Sequence, residues 1–234
     1  MLLLLTLFAC SGDTPTVTRA EVSERVTLDS MARLGTFQLH ATWSRTRTRE
    51  GAAPQARSTS MELLWMDLDH WCYSRLAGDV VESRMLVRDA VGWEQRGAGR
   101  WTSGRDPQAL RAQLDITWDP WDEALSLFAG RISYTPAGSD EIAGRKAERY
   151  TVGLEPEPEL KGKQKPKVAG PWKPTALEGE LWVDQETAVR LQAKVKGTVK
   201  GQGQEQQVEL VLGVSGVGAD PGLPDPDGAP TAPR

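Results

Sequence analysis

The chain has 234 residues, with 28 Lys and Arg against 32 Asp and Glu, a formal net charge of −4, 39% hydrophobic and 26% charged residues. That balance belongs to a folded water-facing domain, and it excludes both a disordered chain and a multi-span membrane protein. It also lacks the basic excess that nucleic-acid binding requires, while two cysteines (Cys10, Cys72) and two histidines (His40, His70) exclude a disulfide scaffold or a Cys-rich zinc module.

Met1 to Ala9 is an apolar run, MLLLLTLFA, too short to span a bilayer and of the size of a secretory signal's apolar region. Leu7-Phe8-Ala9-Cys10 resembles the bacterial lipobox, with small Ala9 at the cleavage position and Cys10 as the thiol that takes diacylglycerol. No Lys or Arg precedes Arg19, so the charged n-region is missing. The reading is a signal peptide over 1–9, a lipidated tether over 10–17, a folded domain over 18–219 and a disordered tail over 220–234 rich in Pro, Gly and Asp. Cys72, within Trp71-Cys72-Tyr73, is then an inert buried thiol.

Thr18-Arg19-Ala20-Glu21 fits a capping box for a helix running to about Leu34, stopped at Gly35. The period then becomes two. Phe37, Leu39, Ala41 and Trp43 alternate with polar residues, as do Met61, Leu63 and Trp65, with a polar loop from about Thr46 to Arg57 between them. Short strands follow at Trp71–Tyr73, Val81–Val87, Val91–Trp93 and Arg100–Thr102. Asp106-Pro107 and Asp119-Pro120 each supply an N-cap and an N1 proline. The second opens a helix with Trp121, Ala124, Leu125 and Phe128 on one face, ending near Gly130. Strands resume at Ile132–Thr135 and at Tyr150, Val152 and Leu154. Residues 155–174, with five prolines and a comb of Lys161, Lys163, Lys165 and Lys167, read as an exposed loop. Leu181-Trp182-Val183 and Val189, Leu191, Ala193 and Val195 read as a hairpin across Gln185-Glu186, and Val208 to Val214 as the last strand.

The fold class is therefore α+β: a curved antiparallel sheet of about eleven strands whose concave face three helices cover in part, and which either closes into a barrel or leaves a hydrophobic trough. Turn-length connections exclude βαβ units. The many tryptophans either wall an apolar trough or fill the core.

The order of elements resembles the LolA/LolB-like superfamily of bacterial envelope lipoprotein carriers and receptors and related lipid-binding lipoproteins. Local stretches carry it: Asp29 to Thr42 at the helix-to-strand junction, Ile142 to Leu154 around a Gly-centred turn, and Gly179 to Ala193 as an apolar-Trp-apolar-Asp hairpin. The resemblance covers about residues 18–216 and implies an open half-barrel, with the three helices as its lid, that holds acyl chains. The family's soluble carrier has no lipid anchor, and its receptor presents an exposed apolar loop for which Gly78-Asp79-Val80-Val81 is a poor counterpart. Phe37, Leu39, Trp43, Leu63 and Trp65 are the expected trough lining, and Trp121, Leu125 and Phe128 its lid.

Chemistry-bearing motifs are sparse. Asp67-Leu68-Asp69-His70 is the one local cluster of ligand-type atoms, and it reads as turn material with His70 on the face opposite the two carboxylates. His40 points to solvent. Asp119 and Asp122 are explained by capping. No G-x-S-x-G elbow, Walker A or G-x-G-x-x-G motif occurs, so neither catalysis nor a metal or other cofactor is expected. The lysine comb and Arg45, Arg47 and Arg49 either contact anionic headgroups or stand as solvated loops. The leading expectation is a lipid-anchored envelope protein, at the outer membrane facing the periplasm, that binds a lipid or acyl chain non-covalently. The alternative is an interaction lipoprotein with a filled core that docks another envelope protein. Neither involves nucleic acid.

Overall fold

The computed structural model describes Val22, residues 26–156 and residues 172–226. The expected signal peptide, Cys10, the capping box at Thr18–Glu21 and the lysine comb lie outside them. Eleven antiparallel strands form one sheet in the order β6-β5-β4-β3-β2-β1-β11-β10-β9-β8-β7. The first half is built from β1 (Phe37–Arg49), β2 (Gln55–Asp67), β3 (His70–Ala77), β4 (Val80–Arg88), β5 (Val91–Arg96) and β6 (Thr102–Arg105). The second half is β7 (Ile132–Ile142), β8 (Arg145–Leu154), β9 (Lys173–Asp184), β10 (Arg190–Gly201) and β11 (Gln204–Ser215). Each half is a meander, and the two join where β1 pairs β11, from Gln38↔Ser215 to Arg49↔Gln204. β6 and β7 are the two edges of the sheet, so the half-barrel is open.

That topology dictates the lid. The chain leaves β6 at one edge and must reach β7 at the other, so residues 106–131 cross the apolar face. They do so as α2 (Pro107–Thr117), α3 (Pro120–Leu125) and a 3-10 turn (Ser126–Phe128). α2 packs on β4 and β5, and α3 on β1 and β11 at the centre of the sheet. Both N-caps form as the sequence predicts: Asp106 accepts from the Gln108 amide and Asp119 from the Trp121 amide, each at 3.0 Å.

Alternation locates the core. Phe37, Leu39, Ala41 and Trp43 of β1 face Met61, Leu63 and Trp65 of β2 on one side and Leu210, Leu212 and Val214 of β11 on the other, all buried in one cluster with the lid. Cys72 and Leu86 are cross-strand neighbours on the opposite face and are buried apart from that cluster.

Four elements differ from the sequence reading. The helix expected to run unbroken to Leu34 is interrupted: Val26 and Thr27 are not helical, and α1 (Leu28–Leu34) restarts with the Thr27 hydroxyl accepting from the Ser30 amide at 3.2 Å. A local hydroxyl cap competes with helix continuation. The polar loop expected over Thr46–Arg57 is mostly strand, because β1 and β2 stay paired out to Arg47↔Gln55. Trp172 and Lys173, expected in an exposed loop, are respectively packed against the core and the start of β9. Of the expected tail, Pro221 is buried and its carbonyl accepts from the Gln38 amide group at 3.2 Å, while 227–234 lie outside the described residues.

Candidate functional site

The lid is seated by apolar contacts and latched by arginines. Phe128, at the end of the 3-10 turn, rests on the sheet at Gly197 of β10. A Cβ there would overlap the Phe128 ring and approach Leu177 to 3.0 Å. The absence of a side chain at Gly197 is thus the socket for the lid's terminal ring.

Three guanidinium groups from three strands hold the lid's polar side. Arg75 of β3 makes a fork to the Glu123 carboxylate at 2.6 and 2.7 Å and donates to Glu82 at 3.0 Å. The Glu123 hydrogen bonds raise the Arg75 pKa further, so it stays charged. Arg45 of β1 donates to the Glu123 carbonyl and reaches the Ser126 hydroxyl at 3.5 Å. Arg190 of β10 pairs with Asp119 at 3.0 Å, both side chains nearly inaccessible. It also donates to the Val22 carbonyl at 3.3 Å and lies 5.3 Å from the Trp121 ring centroid. Asp119 therefore does two jobs with two oxygens, capping α3 and neutralising a buried cation. Capping alone, the sequence reading of Asp119, misses the second. Arg190 stands 71 residues away, and nothing local announces the pair.

The eight expected ligand-binding residues converge. Phe37, Leu39, Trp43, Leu63 and Trp65 on the sheet and Trp121, Leu125 and Phe128 on the lid are each at most 3% exposed and belong to one cluster. Phe37 and Trp65 stack at 6.3 Å between centroids. Their surfaces are largely covered by one another.

Beside the lid a cleft of about 570 Å³ is open to solvent. Trp121, Leu125, Ala129, Ile132 and Tyr134 give it an apolar wall, and Asp122 and Glu155 stand among its polar lining. Trp121 and Tyr134 stack at 6.3 Å, and burial raises the Tyr134 pKa. Two of the eight expected residues, Trp121 and Leu125, thus line a real opening. Ile132 and Tyr134, which the sequence reading left unassigned, complete it; their position at the start of β7, next to the lid, is the signal that points to them.

The Asp67–His70 cluster is turn material, as expected, but its partition between faces is corrected. The turn folds His70 back so that its Nδ1 sits 2.9 Å from Asp67 Oδ1, while Asp69 pairs with Arg111 at 2.7 Å. The Asp67 hydrogen bond raises the His70 pKa. His40 is exposed, 3.3 Å from the Thr42 hydroxyl. No group of three or more His, Cys, Asp or Glu able to hold a metal ion occurs among the described residues, and no described helix is long and apolar enough to cross a membrane.

No family model and no curated protein matches the chain. Solved structures similar to it include a LolA superfamily protein from Nitrosomonas europaea, at 11% identity over 80% of this chain and 92% of that one, with a TM-score of 0.21. The lipoprotein LppX of Mycobacterium tuberculosis is similar at 11% identity over 83% of this chain and 94% of that one, with a TM-score of 0.28. MucB in its Pseudomonas aeruginosa complex with MucA is similar at 16% identity over 84% of this chain, with a TM-score of 0.26, and the chain spans 57% of that structure's length.

Proposed function

We propose that the protein is a non-catalytic lipoprotein of the cell envelope, anchored through Cys10 at the outer membrane facing the periplasm, that takes an acyl chain or lipid under its lid. The observation that carries the reading is the cleft of about 570 Å³ walled by Trp121, Leu125, Ile132 and Tyr134, which lies against the six-residue helix and three-residue turn that cover an apolar sheet face. Each methylene buried there contributes about 0.8 kcal/mol, so a chain of ordinary length offsets displacement of so short a lid.

The test is extraction of the purified full chain with organic solvent and mass spectrometry of what is released. A stoichiometric lipid is expected, and Ile132→Trp, which fills the cleft mouth, should lose it without lowering the melting temperature. An empty, stable protein would sink the reading. It would favour docking of another envelope protein on a half-barrel filled by its own side chains, a second reading that the burial of all eight trough residues supports. Anchoring is checked separately: the mass of the N-terminal peptide should include a diacylglyceryl group on Cys10, and Cys10→Ser should leave the membrane fraction.

A further inference from the structure

A second cleft, of about 650 Å³, opens on the concave face at the outer ends of β1 to β3. Its lining includes Arg45 and Arg47 of β1, Arg57 of β2 and Arg75 of β3 around the Trp43 ring, with Ser58 beside them. Strand register explains the gathering: Arg45 and Arg57 are direct cross-strand partners, on the same face as Arg47. Like charges placed opposite one another cost stability, so this pairing is a feature the fold bears rather than one it needs.

The charges are also incompletely answered from within. Glu82 and Glu123 are the carboxylates of the cleft, and both bind Arg75. Among the described residues, Arg45, Arg47 and Arg57 pair with no carboxylate. Arg45 spends one nitrogen on a carbonyl, and its buried Nε has no acceptor among the described residues. Arg47 lies over Trp172 at 5.6 Å, which fixes its plane and leaves its donors available. The cleft therefore holds a local positive excess in a chain whose net charge is −4.

We propose that this cleft is a binding site for a phosphorylated group, free or carried on a lipid headgroup. Guanidinium forks match phosphate oxygens in geometry and charge, and because Arg47 and Arg57 are exposed while Arg45 and Arg75 are half-buried, the interaction weakens as salt rises. As a headgroup site it rests on the lipid reading above and deepens it; as a site for a free phosphorylated anion it stands without that reading.

The experiment uses the full chain carrying Cys10→Ser, so that no acyl anchor contributes. Inorganic pyrophosphate is titrated by calorimetry at low and high salt, and flotation is measured with vesicles of phosphatidylglycerol in phosphatidylcholine beside phosphatidylcholine alone. Arg57→Gln and Arg47→Gln should each weaken binding about tenfold and together abolish it, with melting temperature held or raised. Arg49→Gln, which removes the same charge from the same strand outside the cleft, should change it less than about twofold. Pyrophosphate binding supports a free phosphorylated ligand, and binding to the anionic vesicles alone supports a headgroup. Absence of both, or binding that Arg57→Gln and Arg47→Gln leave unchanged, overturns the site. Lipid recovered by extraction from a chain that binds neither probe would overturn the site alone. Anion binding by a lipid-free chain would leave the site standing and overturn the acyl reading.

Discussion

Two side chains show how burial and partnership set chemistry at the scale of single residues. Burial pushes the Cys72 thiol up to about 12, so at neutral pH it is neither a nucleophile nor a ligand. In a Cys10→Ser chain, a thiol reagent at pH about 8 should find no reactive group until the protein is unfolded, and one equivalent afterwards. Rapid labelling of the native chain would contradict this. His70 behaves in the opposite sense. Its pKa is raised in the fold by the hydrogen bond to Asp67, so the pair stabilises the native state fully below the unfolded value near 6.5. That contribution is lost as pH rises through the folded pKa. The urea midpoint of the native chain should exceed that of Asp67→Asn below pH about 6, and the gap should narrow by pH about 9; a gap constant with pH would show that the pair carries no linked proton. Asp67 is exposed and His70 partly so, which screens the pair and keeps the effect small.

The lid is the element whose sequence and structure are most closely tied. Its start was legible because Asp119-Pro120 is a helix-opening device, and its apolar face because Trp121, Ala124, Leu125 and Phe128 recur at helical spacing. What it sits on was not legible. Gly197 reads as a weakness in a strand, and only the fold reveals the Phe128 ring above it. Gly197→Val should therefore expel that ring and destabilise the protein by about 1–3 kcal/mol or more, with a shift in tryptophan emission as Trp121 moves. An unchanged melting temperature and spectrum would deny the socket. Asp119→Ala should cost more, about 3–5 kcal/mol, since it strands buried Arg190 as well as removing a cap, and Asp119→Asn, which keeps a capping oxygen, should fall between. Equal losses for the two variants would mean that the charge opposite Arg190 alone matters, and an undiminished Asp119→Asn that the cap alone does. The outer halves of β1 and β2 escaped the sequence reading for a related reason. Arg47 to Arg49 and, apart from small Ala56, Gln55 to Ser58 are polar, so alternation vanishes although pairing continues. The arginine cleft lies on those same halves: Arg45 and Arg47 were visible as cations, but Arg57 and Arg75 join them only through strand register.

For the whole molecule, the sheet order predicts a gradient of protection. β1, β11 and β10 are paired on both sides and lie beneath the lid, whereas β6 is a four-residue edge strand exposed along its length. Amide hydrogen exchange should be slowest in the three central strands and fast in β6; protection of β6 equal to that of β1 would require an unseen neighbour along that edge. Strand count and antiparallel sense followed from two-residue alternation and short turns, and the lidded half-barrel from the family resemblance. The strand order did not, because alternation tells a strand which face to bury and never which strand to bury it beside.

The junction of β1 with β11 has a consequence for how the chain is made. Leu39 must wait for Val214 before its strand gains a second neighbour, so the centre of the sheet is completed last during synthesis. Each meander can fold early as it emerges, but neither has its inner flank closed until the final strand arrives. Until then the chain carries two exposed half-sheets, and truncation anywhere before β11 should give an aggregating product rather than a smaller stable one.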